Sequence, residues 1–290
     1  MRVAVVSLGS PDYLPDIVAD GLIRVLGRQN IHLHFGKTAL AGDIRYTHLM
    51  NGFFSEPNSF QLLEADMLVI SNRSGAEIAR TWITRTGKQA VAFLDGEDDA
   101  GIRENLRGLS KIYFKREYLA GHPYPANVRP LPFAALPEEP TDRVPIERTV
   151  FFMGHYADHP VRKKIGDRLA QMGFPIANAT WPKADYNRAL RGSMIGVSVR
   201  GWGWDTYRYW EIPYFGTCLL SEAMPIEIPW NFKDGEEAVF YTDENDMALK
   251  LGKLLAEPER AKDIGARGRA ACLERHLSIH RAKTVLEAMA

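Results

Sequence analysis

The feature that most constrains this chain is an alternation of short β-branched apolar runs with amphipathic helical stripes. Val3 to Leu8 is the first apolar run, and Gly9, Ser10 and Pro11 close it as turn residues. Val18, Leu22, Val25 and Leu26 follow at i, i+4, i+7, i+8, which places them on one face of a helix with Pro15 near its first turn and Gly27 at its end. Ile31 to Phe35 is a second strand. Strands that read as continuous apolar runs between helices are buried on both faces, the condition of a parallel sheet covered by helices.

The alternation continues. Met67 to Ile70, Ala90 to Leu94 and Lys111 to Phe114 are strand segments, with a helix carrying Ile78, Ala79 and Ile83 between the first two. A Pro- and charge-rich stretch, Leu136 to Glu147, reads as a linker. A second series follows it. Thr149 to Met153, Met194 to Val199, Thr217 to Leu220 and Ala238 to Tyr241 are strands, and Val161 to Met172, Tyr186 to Arg191 and Tyr207 to Tyr214 are helices. Met247, Leu251, Leu254 and Leu255 repeat the helical stripe, and Pro258 opens a helical segment that runs to Ala290. The expected fold class is therefore α/β, with two Rossmann-like domains facing a cleft. Residues 1–136 form one domain and 148–290 the other, with the last helix free to pack back on the first.

Composition removes several classes of function. Lys+Arg and Asp+Glu both number 36, so the net charge is zero and a broadly basic nucleic-acid surface is not expected. Two cysteines, Cys218 and Cys272, make no disulfide framework and fit a reducing compartment. No apolar run approaches the ~20 residues of a membrane span, and the N-terminus reads as a strand rather than a leader, so a soluble cytoplasmic protein is expected.

In open α/β sheets ligands lie beyond the carboxyl ends of the strands. The turn after the first strand, Gly9-Ser10-Pro11-Asp12, has no G-x-G-x-x-G, and no Walker A loop occurs, so NAD-type oxidoreduction and P-loop chemistry lose their main support. Arg200-Gly201-Trp202-Gly203-Trp204-Asp205-Thr206-Tyr207-Arg208 combines glycines that admit close backbone approach, arginines that can clamp phosphate, and a helix start with free N–H groups. An aromatic-rich core turn with surface arginines is the equal alternative. Glu211 in the same helix can accept hydrogen bonds from sugar hydroxyls. Asp95-Gly96-Glu97-Asp98-Asp99 reads as a helix N-terminus, as a general base at a cleft edge, or as a metal site, the last without His or Cys at ligand spacing. His155 follows a strand and either faces the cleft or is structural, and His276 and His280 are read as helix packing. No nucleophile elbow or cysteine-protease context is present, and Cys218 is read as core.

The run Arg208-Tyr209-Trp210-Glu211-Ile212-Pro213-Tyr214-Phe215-Gly216-Thr217-Cys218-Leu219-Leu220-Ser221-Glu222 resembles the C-terminal domain of GT-B glycosyltransferases, in the group-1-like branch with the spore-maturation CgeB proteins. Phe232 to Val239, Tyr241, and the closing Glu274-Arg275-His276 with Arg281-Ala282 are similar in order. The resemblance implies metal-independent transfer of a hexosyl or related sugar from a nucleotide-sugar co-substrate, with no further cofactor. By the same resemblance Glu211 holds the donor ribose, Gly154 and Arg208 lie at the diphosphate, and Arg162 and Lys163 are further candidates there; the residues' own position and chemistry add His155, Arg200, Gly201, Gly203 and Asp205 as donor-binding candidates. Asp95, Glu97 and Asp98 stand as candidate acceptor bases. The better-known enzymes of that group carry E-x7-E; here Gly203 occupies the place of the first acid, with Asp205 nearby but out of register. A catalytically inactive nucleotide- or nucleotide-sugar-binding protein on the same fold is therefore the alternative. The acceptor is unidentified, and a nucleic-acid acceptor is disfavoured by the zero net charge.

Overall fold

The structure, a computed structural model, describes residues 1–8, 12–35, 58–137, 142, 144–153, 159–174, 176 and 181–290. It divides into two compact units. Unit 1 comprises Met1–Leu136, Ile226–Pro229 and Leu277–Ala290, and unit 2 comprises Pro137–Pro225 and Trp230–His276.

Unit 1 is built on a six-stranded parallel sheet of order β2-β1-β3-β4-β5-β6. Its strands are β1 (Val3–Ser7), β2 (Ile31–Phe35), β3 (Met67–Ser71), β4 (Val91–Asp95), β5 (Ile112–Lys115) and β6 (Val128–Pro130). The order reverses between β1 and β3, so the crevice at their carboxyl ends is the topological switch point. Strands β1, β3 and β4 show no alternation of buried and exposed positions; they are buried at every residue and therefore covered on both faces. Helix α1 (Tyr13–Leu26) starts where the Asp12 side chain accepts from Leu14 N at 3.1 Å and stops at Gly27, whose φ of 82° suits glycine. Helices α2 (Glu77–Thr86) and α3 (Glu104–Arg107) follow β3 and β4. Trp82 of α2 is buried and joins Phe93 and Tyr113 in the core on that side of the sheet.

Unit 2 carries a four-stranded parallel sheet of order β10-β9-β8-β7, from β7 (Arg148–Phe151), β8 (Ser193–Ser198), β9 (Cys218–Glu222) and β10 (Val239–Tyr241). Helices α4 (Pro160–Gln171) and α5 (Lys183–Arg191) lie between β7 and β8, and α6 (Tyr207–Tyr214) lies between β8 and β9. After β10 come α7 (Glu244–Ala256) and α8 (Pro258–Arg275). Val150, Ile195, Val197, Leu220, Leu251 and Ile264 share one core, and Cys218 lies in it as a free, buried thiol. Burial pushes that thiol up to about 12, which leaves it inert.

The sequence pattern runs one helical segment from Pro258 to Ala290; the structure breaks it. Helix α8 ends at Arg275, Leu277 is extended, and α9 (Ser278–Met289) begins again in unit 1. The break has a tertiary cause. Ser278 N donates to Ala135 O at 3.0 Å, Arg281 Nε donates to Pro132 O and Phe133 O at 3.0 Å each, and α9 packs along α1. His276, fully buried at the end of α8, packs between Trp210 and Phe232, and His280 Nδ1 accepts from Leu277 N at the start of α9. Among the described residues no helix is long and apolar enough to cross a membrane.

Candidate functional site

The carboxyl edge of the unit 2 sheet is built from the loop after β8. Arg200 is held there three ways: its backbone N donates to Glu222 Oε2 at 3.2 Å, its guanidinium is 3.5 Å from Glu222 Oε1, and it lies 4.0 Å from the centre of the Trp204 ring. Gly201 and Gly203 close the turn through a Gly201 N to Gly203 O bond of 3.0 Å. Arg162, in the first turn of α4, donates from Nε to Arg200 O at 3.1 Å and lies so close over Gly201 that a Cβ there would stand 2.7 Å from Nη2. His159 caps α4, and its ring meets Trp202 edge-on at 4.9 Å. Burial, with Arg162 and Arg200 adding to it, holds that imidazole below its ordinary value, so it is neutral at pH 7.

Helix α6 supplies the chemistry. Thr206 caps it without a side-chain hydrogen bond, so its first N–H groups keep their capacity for an anion. Arg208 stands in that first turn. It is 7% exposed, its Nε has no hydrogen-bond partner, and it forms no ion pair among the described residues. A buried guanidinium in that state lacks a contacting anion, and leaving one so is costly.

Glu211, one turn on, is 8% exposed and engaged on both oxygens. Lys183 Nζ donates to Oε1 at 2.8 Å and the Tyr186 hydroxyl to Oε2 at 2.7 Å, both from α5. Burial pushes the Glu211 carboxyl up, but the Lys183 charge, the two hydrogen bonds and the more distant Arg208 together carry it below the usual range. Glu211 is thus an ionised acceptor at neutral pH.

Other expected site residues fall differently. Asp205 is 2% exposed and accepts the Trp210 indole N–H at 2.8 Å, which makes it an anchor for α6. Lys163 is exposed and pairs with Asp167 at 2.6 Å along its own helix. Gly154 and His155 lie outside the described residues, as do Gly9 and Ser10. Sequence reasoning missed Lys183 and Tyr186; only the Tyr186 helix was legible, and nothing local points either side chain at Glu211.

In unit 1, Asp95, Glu97 and Asp98 end β4, and each meets cations. Asp95 is 1% exposed, and its carboxylate takes Lys115 Nζ at 3.0 Å, the Tyr113 hydroxyl at 2.6 Å and Glu97 N at 3.0 Å. Three donors from unit 1 hold it in place. Glu97 pairs with Arg73 at 3.1 Å and Arg103 at 3.3 Å, and the half-exposed Asp98 pairs with Arg116. At the switch point Asp12 takes the Ser71 hydroxyl at 2.9 Å. Burial raises the Asp12 carboxyl, and burial with the Asp12 charge raises Asp16 well above the ordinary range.

Comparison with known proteins gives the class. Residues 159–287 match a family model described as "Glycosyl transferase-like". No curated protein matches the sequence. Solved structures share the fold over the whole chain at low identity. A glycosyltransferase from Rickettsia africae is similar with TM-score 0.64 at 9% identity, covering 99% of this chain and 98% of that chain. An alpha-glucosyltransferase in complex with UDP and a 13-mer DNA containing a HMU base gives 0.63 at 10%, covering 100% and 99%. Anabaena HepE in complex with UDP gives 0.58 at 8%, covering 100% and 99%. The fold is that of GT-B glycosyltransferases, α/β with parallel sheets.

Proposed function

We propose that this protein is a glycosyltransferase that takes its sugar from a nucleoside diphosphate donor bound at the carboxyl edge of unit 2, and passes it to an unidentified acceptor. The observation that carries this reading is Arg208: a buried guanidinium with no ion-pair partner among the described residues, at the start of α6, whose N-cap makes no side-chain hydrogen bond. A diphosphate supplies the missing anion, and the same charge and N–H groups then stabilise the negative leaving group as the glycosidic bond breaks. Arg200, held by Glu222 and Trp204, adds a second cation at that edge. Glu211 accepts the donor's ribose hydroxyls. The HepE and alpha-glucosyltransferase structures of similar fold hold UDP, which supports uridine as the first nucleoside to try.

Finer features belong to the same reading: a CgeB-like relationship, metal-independent hexosyl transfer, no cofactor beyond the co-substrate, and a cytoplasmic site in keeping with two free buried thiols. The acceptor side is assigned to unit 1 and the donor side to unit 2, so residues 148–290 serve the donor except for Ile226–Pro229 and the closing helix α9, which belong to unit 1. Asp98, half-exposed beyond β4, takes the acceptor-base role ahead of the buried, lysine-paired Asp95. Gly203 in place of the first acid supports one other reading, a binding protein without turnover.

Calorimetric titration with UDP-glucose, UDP-N-acetylglucosamine, GDP-mannose and ADP-glucose, alongside an assay for released nucleotide, tests both. Saturable binding of one donor, weakened at least about tenfold in Arg208→Met, is expected. Binding without release in the presence of any acceptor class favours the inactive alternative. Absence of binding for every donor at millimolar concentration overturns the proposal.

A further inference from the structure

The donor reading leaves two side chains on Glu211 without a role. Lys183 and Tyr186 stand three positions apart in the first turns of α5, so they share a helix face, and each takes a different oxygen of the carboxylate. Both are themselves fixed. The Tyr186 ring is buried and meets Phe151 of β7 edge-on at 5.5 Å, and the Lys183 ammonium lies 5.6 Å from the Tyr186 ring centre. The carboxylate plane is therefore set by a neighbouring helix that is itself braced on the sheet.

An ionised carboxylate accepts about four hydrogen bonds, two on each oxygen. Lys183 and Tyr186 fill one place on each, and no other described residue fills the second. That is the acceptor pattern a vicinal diol needs: two neighbouring hydroxyls donating in parallel to two neighbouring oxygens. A carboxyl that protonated or turned would offer only one good acceptor. Burial drives Glu211 towards protonation, and the Lys183 charge with the two hydrogen bonds reverses that direction.

We propose that Lys183 and Tyr186 are positioning residues that hold Glu211 as a two-point acceptor for the donor's ribose diol, and so set how strongly the site depends on the 2′-hydroxyl. The proposal rests on the reading of Glu211 as the ribose ligand. Neither side chain touches the reacting atoms; they act through Glu211. Their loss therefore changes recognition of the 2′-hydroxyl more than it changes recognition of the diphosphate, which Arg208 and the α6 start hold.

Titration of the full chain with UDP and with dUDP tests this. The wild type is expected to bind UDP about tenfold more tightly than dUDP, the effect of one charge-assisted hydrogen bond. In Tyr186→Phe and Lys183→Met the ratio falls to about twofold, and Lys183→Arg restores most of it. Tyr186→Phe removes one oxygen and Lys183→Met keeps the apolar stem, so both are read as folded proteins by circular dichroism. A merely structural role weakens both nucleotides together and leaves the ratio intact. Full discrimination retained in both variants overturns the positioning role while the Glu211 reading stands. A wild type that binds UDP and dUDP equally, or neither, overturns the Glu211 reading and this proposal with it.

Discussion

Lys115 Nζ lies 3.0 Å from Asp95 Oδ2, and neither side chain reaches solvent. The two residues are register partners at the carboxyl ends of β4 and β5, so a parallel ladder brings them together. The Tyr113 hydroxyl donates to the same oxygen, and burial with the Asp95 charge keeps that phenol protonated far above its ordinary range.

Breaking such a pair on one side leaves either Asp95 buried without its cation or Lys115 buried with only Asp99 at 3.9 Å. Lys115→Met or Asp95→Asn is therefore expected to cost about 3–5 kcal/mol, and the double variant to recover much of that. Urea denaturation of the three variants checks it. Additive single losses in the double variant would show that the two side chains act independently. The same experiment bears on catalysis, since an acceptor base at Asp95 loses turnover in Asp95→Asn without a comparable loss of stability.

Gly96 sits against the cap of α1. A Cβ added there would stand 2.1 Å from Asp12 Oδ1, and Asp12 also carries the Leu14 N and Ser71 hydroxyl bonds. Gly96→Ala must displace that carboxylate, at an expected cost of about 1–3 kcal/mol from the strained contact and the weakened cap. Thermal unfolding of Gly96→Ala is the measurement. A melting temperature equal to that of the parent would mean that Asp12 can move away freely.

Asp16 gives a pH dependence with a definite sign. Its folded carboxyl holds a proton well above the value of about 3.9 at which an unfolded aspartate gives it up. The folded state then binds more protons than the unfolded one, so this group's contribution is complete below about pH 3.9 and declines as pH rises through the folded value. Asp16→Asn is neutral at every pH. Relative to the parent, it is expected to gain stability steadily from acid towards neutral pH, read as the difference between two denaturation series. A difference that does not vary with pH would remove Asp16 from the proton balance.

Arg208 links stability to function. Replacing a buried charge that has no ion-pair partner among the described residues by an apolar side chain of similar length removes a desolvation penalty larger than its distant attraction to Glu211, so Arg208→Met is expected to stabilise the free protein by about 1–3 kcal/mol. It should at the same time abolish the stabilisation that UDP confers on the parent by mass action. Melting curves with and without UDP measure both effects. A variant that is destabilised, yet still stabilised by UDP, would show that Arg208 packs rather than binds.

Much of the fold was legible because it rests on local pattern. The apolar runs at Val3, Met67, Ala90 and Met194 became strands within a residue or two, and the stripe from Val18 to Leu26 became α1. Misses came where local signals were weak or overruled. Val128–Pro130 is three residues ending in proline and pairs only because β5 offers it an edge. The start of α5 lies at Lys183, three residues before the legible helix, and those residues carry the Glu211 clamp.

The sequence by itself determined the alternation, the parallel character of both sheets and the candidacy of Arg208 and Glu211, since periodicity and residue chemistry are local properties. Tertiary structure alone decided which charged groups are occupied. Arg208 was left without an ion-pair partner among the described residues, Asp205 was given to Trp210, Asp95 to Lys115, and Glu211 to a lysine 28 positions upstream. It also decided that the C-terminal helical run stops at His276 and resumes in unit 1. The physical reason is the same in each case: pairing and burial depend on which segments the sheets bring side by side, and that distance in space is not written in the distance along the chain.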